Sequence, residues 1–151
     1  MENKVERYPI VGTGQQLEHL KQADAAARLS SFASNVASLC HALALGADPG
    51  HLTLLIERTR DFLIVANELD AGNPRTASYS ELIPFQVWEG ASPRHLAKSS
   101  DRVGHLLNAV DEMRLDKIDF KSEASYFRKL AESLTDHGIE AIKDAHDPLK
   151  V

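Results

Sequence analysis

Asp48–Gly72, DPGHLTLLIERTRDFLIVANELDAG, decides the fold. Asp48 can accept hydrogen bonds from the free amides of a first helical turn, and Pro49 suits the first helical position because its missing N–H has no partner to lose. Leu52, Leu55, Ile56, Thr59, Phe62, Leu63, Ala66 and Leu69 then recur at the spacing of one helical face. Gly72 suits a left-handed C′ position, and Pro74 forbids continuation. Leu54, Ile64 and Val65 fall off that stripe, so the helix is expected to be covered on more than one side.

Upstream, a long helix is expected from about Gln15 to Leu45, with Thr13 as its N-cap. Leu29, Phe32, Val36, Leu39, Cys40 and Leu43 form one large apolar face. A second stripe of small or uncharged residues lies almost opposite: Ala23, Ala27, Ser30, Ser34, Ala37 and His41. From Leu29 to Ala47 the chain holds no Asp, Glu, Lys or Arg. An uncharged helix surface of that length is unusual in water, and small side chains let another backbone come close. This helix is therefore expected to be central in a bundle, the alternative being half of a subunit interface. Gly46-Ala47 is too short a link for anything but an antiparallel neighbour.

Downstream, residues 72–91 form a long irregular connection rich in apolar and aromatic side chains, including Tyr79, Phe85 and Trp88. Ser92-Pro93 repeats the helix-start device, and Leu96, Val103, Leu106, Leu107, Val110 and Met113 give an amphipathic helix to about Arg114. Residues 115–120 read as a loop or single turn. Ser122 is the expected cap of a last helix carrying Phe127, Leu130, Ala131, Leu134, Ala141, Ile142 and Ala145. Gly138 interrupts that helix at a helix-propensity cost of about 1 kcal/mol relative to Ala, so a kink or a separate short terminal helix is expected there.

The fold class is all-α: an antiparallel bundle of four main helices, with a short C-terminal helix as an addition and a long irregular connection between helices 2 and 3. The domain plan is a loose arm over residues 1–14, one bundle over 15–147 and a tail over 148–151.

Composition narrows the chemistry. The net charge of −5 argues against a phosphate-binding surface. The largest segmental imbalance, two basic against five acidic side chains over residues 48–71, is too small for a charged tail. Lys117, Lys121, Arg128 and Lys129 cluster near Tyr126 and Phe127, but Asp119 and Glu123 dilute them, so nucleic acid is not the expected partner. A single cysteine, Cys40, allows neither an internal disulfide nor a cysteine zinc cluster, and within an apolar face it reads as inert. The opening MENKVERYPI has no apolar core of the kind a secretory signal needs, and the uncharged run is too polar for a lipid-facing span, so a cytoplasmic, soluble protein is expected.

The seven histidines show no His-x-x-x-His or His-Glu-x-x-His spacing; Asp101/His105 and Asp136/His137/Glu140 are half-sites only. His41, inside the uncharged run, reads as a core or interface imidazole. Gly12-Thr13-Gly14 is too little glycine for a nucleotide cradle. No catalytic residue, metal or cofactor is assigned. The expected function is a non-enzymatic protein-binding module (an adaptor, an inhibitor or neutraliser, or an assembly chaperone) acting through Ser30, Ser34, Ala37, His41, Tyr79, Phe85 and Trp88. Its expected partner is another protein, with homodimerisation as a further use of the small-residue stripe. The alternatives are a metal-dependent helical-bundle enzyme with Asp, Glu and His ligands from separate helices, and a regulator linked to a small molecule or nucleic acid.

Overall fold

The computed structural model describes residues 14–70, 83, 87 and 99–151. Four helices carry the described fold: α1 (Gly14–Ala44), α2 (Thr53–Asp70), α3 (Ser99–Asp111) and α4 (Phe120–Ala145). Single 3-10 turns at Pro49–His51 and Leu115–Lys117 precede α2 and α4. There is no strand among the described residues. The architecture is the all-α bundle that hydrophobic period implies.

The longest interface joins the first and last helices. Gln16 Nε2 donates to the Ala145 carbonyl at 3.1 Å, and Ser30 Oγ donates to the Ala131 carbonyl at 2.9 Å. Numbers rising along α1 therefore meet numbers falling along α4, an antiparallel pair. The spacing on α1 explains it. Gln16, Ala23, Ala26 and Ser30 meet α4 at steps of seven, three and four residues, the spacing of a coiled-coil seam, while Ala27, Ser34 and His41 lie exposed along its edge. The seam residues on α4 include Ala131, Thr135, Gly138, Ile142 and Ala145 at steps of four and three. With small residues on both sides the backbones come very close. A methyl on Gly138 would stand 3.3 Å from Ala26 Cβ and 3.6 Å from the Ala23 carbonyl oxygen. Gly138 thus neither breaks α4 nor starts a separate terminal helix, as its propensity suggests it should. The helix runs unbroken to Ala145, because close packing outweighs the propensity cost.

The opposite face of α1 builds the core. Leu29, Val36, Leu39 and Cys40 are fully buried, together with Phe62 of α2, Val103 and Leu106 of α3, and Phe127, Leu130 and Leu134 of α4. Phe62 stacks on Phe32 with centroids 5.7 Å apart and meets Phe127 edge-on at 6.3 Å, so one aromatic ring ties α2 to both long helices. Ile83, from the connection between α2 and α3, is also buried in this core. Because α1 is apolar on two sides, it is the central helix, packed on α2 and α4 at once. On α2, Val65 packs against the core and the helix is covered by α1 on one side and α3 on another, as expected, while Leu54 and Ile64 face outward with 61% and 59% exposure.

The helix ends follow local chemistry. Asp48 caps the 3-10 turn, accepting from Gly50 N at 3.0 Å, and α2 proper begins at Thr53. The cap of α4 is Asp119, whose carboxylate accepts from Ser122 N at 3.2 Å; Ser122, the expected cap, sits inside the first turn. Both α1 and α3 end in the same paired bonds. Ala47 N and Gly46 N donate to Ala42 O and Leu43 O, and Arg114 N and Met113 N donate to Ala109 O and Val110 O. The turning residue is left-handed in each case: Gly46 at φ 89° and Met113 at φ 56°. The tail turns back on α4, with Lys150 Nζ 3.0 Å from Asp144 Oδ1.

The Thr13 cap, the rest of the N-terminal arm, the Ser92-Pro93 helix start, and Tyr79, Phe85 and Trp88 lie outside the described residues.

Two stability measurements check this account. Met113 is 66% exposed, so Met113→Gly removes a left-handed strain without opening the core and raises unfolding stability by about 1 kcal/mol in urea titrations. Gly138→Leu overpacks the α1–α4 crossing and lowers stability by about 3 kcal/mol, whereas Gly138→Ala, which gains helix propensity as it loses space, changes it far less.

Candidate functional site

The small-residue stripe of α1 divides into two halves. Its inner half is consumed by the fold. Ala37 is buried, and Ser30 bonds Ala131 O and also lies 2.6 Å from Thr135 Oγ1. Its outer half stays on the surface: Ala27, Ser34 and His41 are exposed, as are Ser31 and Ser38 beside them. Of the two readings of His41, core or interface imidazole, its exposure removes the first. The residue stands at the mouth of an open groove between α1 and α4.

That groove has a volume of about 640 Å³. Its α1 wall is Ser30, Ser34, Ala37, Ser38 and His41, with no Asp, Glu, Lys or Arg. Its α4 wall carries Arg128, Glu132 and Asp136 around Ala131 and Thr135. A second groove of about 490 Å³ shares Ser30, Ser34 and Thr135 and extends it towards Ala23, Ala27, Ile139 and Ile142. Ile139 and Ile142 are each 48% exposed. The two grooves make one long face, apolar towards the start of α1 and polar towards its end. Of the expected binding residues, Ser30, Ser34, Ala37 and His41 all line it, two as part of the internal packing and two at the surface.

A polar cluster elsewhere was not legible from spacing. Arg102 of α3 reaches Glu123 of α4 at 3.1 Å, both side chains being mostly shielded at 17% and 19% exposure. The same guanidinium lies 3.9 Å from the Tyr126 ring centroid, and Tyr126 OH is 3.1 Å from Ser99 Oγ. Tyr126, which the sequence places beside the basic residues of α4, is engaged here instead, joining α3 to α4. On the opposite side of α3, Arg60 of α2 makes a two-pronged bond to Asp111 at 2.6 and 3.2 Å, and the hydrogen bonds from Arg60 hold the Asp111 carboxyl below its ordinary range.

The lone cysteine lies buried in the core. Burial, and then the Glu123 carboxylate, push the Cys40 thiol up to about 12, which keeps it protonated and unreactive at neutral pH. Among the described residues no three His, Cys, Asp or Glu side chains come together in a way that could hold a metal ion. His19 Nδ1 and His137 Nε2 are buried without a hydrogen-bond partner, but they form no such group. No helix among the described residues is long and apolar enough to cross a membrane. Compared with known protein families, characterised proteins and solved structures, the chain matches none.

Two outcomes follow for Cys40. In the native protein it resists thiol-directed labelling at pH 8 and reacts fully in denaturant. Because folding raises its pKa, its linkage to stability is flat below the unfolded value of 9.0 and destabilising from there towards 12, so stability falls more steeply over that range in the wild type than in Cys40→Ala.

Proposed function

We propose that this protein works by docking another protein along the open α1–α4 face, in a cytoplasmic setting, rather than by transforming a substrate. The observation that carries the reading is the composition of that face. One wall is a run of serine and alanine without charge, and it continues to two half-exposed isoleucines on the other wall. Small residues admit a close-packed helix, isoleucines supply apolar area, and Arg128, Glu132 and Asp136 at the far end provide a polar rim. Such a surface has no strong field to attract a phosphate backbone. It suits an amphipathic helix laid into a groove.

Ser34 and Ile142 are the clean probes, since both are exposed and lie on opposite walls. Ala37 is not, because it is buried and its replacement would disturb the fold. With the full chain as bait in extract of its native host, the wild type should retain a stoichiometric partner that the Ser34→Glu, Ile142→Glu double variant loses by about tenfold or more, with circular dichroism unchanged. The same partners at the same yield from both proteins would remove this face as the docking surface.

A further inference from the structure

We draw no further inference here: the strongest candidate, the open cleft between α2 and α3 lined by Arg60, Ile64, Asp101, Gly104, His105 and Asn108, is a helix–helix surface for which nothing in the structure shows what covers it.

Discussion

At Gly138 the α4 backbone passes α1 so closely that one added methyl group would sit 3.3 Å from the Ala26 side chain. The rest of the molecule is arranged around that approach. Two helices can lie this near only where both present small side chains, here Ala23, Ala26 and Ser30 of α1 against Ala131 and Gly138 of α4. Dispersion between closely packed backbones, and cross-links such as Ser30 to Ala131 O, replace the volume that large side chains supply elsewhere in the core. The bulky residues are thereby left for the other face of α1, where Phe32 stacks on Phe62 and Phe62 meets Phe127.

One consequence of the seam is a surface. A pair of helices packed through small residues is narrow on its inner side and leaves a shallow open groove on its outer side. The fold uses Ala23, Ser30 and Ala37 and leaves Ala27, Ser34, Ser38 and His41 to line or flank that groove. The same compositional feature that lets α4 approach α1 therefore presents a second, unfilled approach beside it. Polar anchoring lies on other helix pairs. Arg102 with Glu123 and Tyr126 pins α3 to α4, and Arg60 with Asp111 pins α2 to α3. Docking on the groove would leave these anchors untouched.

Much of this architecture is legible in the amino-acid order, for identifiable reasons. Asp48-Pro49, Gly46 and the sustained helical period place α1 and α2 to within a few residues, because caps and periodicity are local. The two stripes of α1 are equally visible. Which neighbour covers each stripe is not, since spacing along one helix defines a face without naming the element that packs on it. Hence Ser30, read as a binding residue, also bonds the Ala131 carbonyl of α4, Ala37 is buried, and His41 is exposed. Gly138 misleads for a related reason: its intrinsic cost points to a break, whereas its value lies in a contact more than 100 residues away in sequence. Met113 in a left-handed turn and the Arg102–Glu123–Tyr126 cluster leave no local trace, as each depends on chain direction or on side chains from separate helices.

The closeness of α1 and α4 is open to direct measurement by covalent trapping. In a Cys40→Ser background, Ser30→Cys with Thr135→Cys replaces two hydroxyls that already lie 2.6 Å apart. Under mild oxidation the folded chain should form that single disulfide within one chain in full, detected as the loss of two hydrogens by mass spectrometry, with helicity unchanged and the unfolding midpoint raised by closure of a loop of more than 100 residues. Two thiols that stay free in the folded protein, or that link only after denaturant is added, would contradict the close antiparallel pair on which this account of the molecule rests.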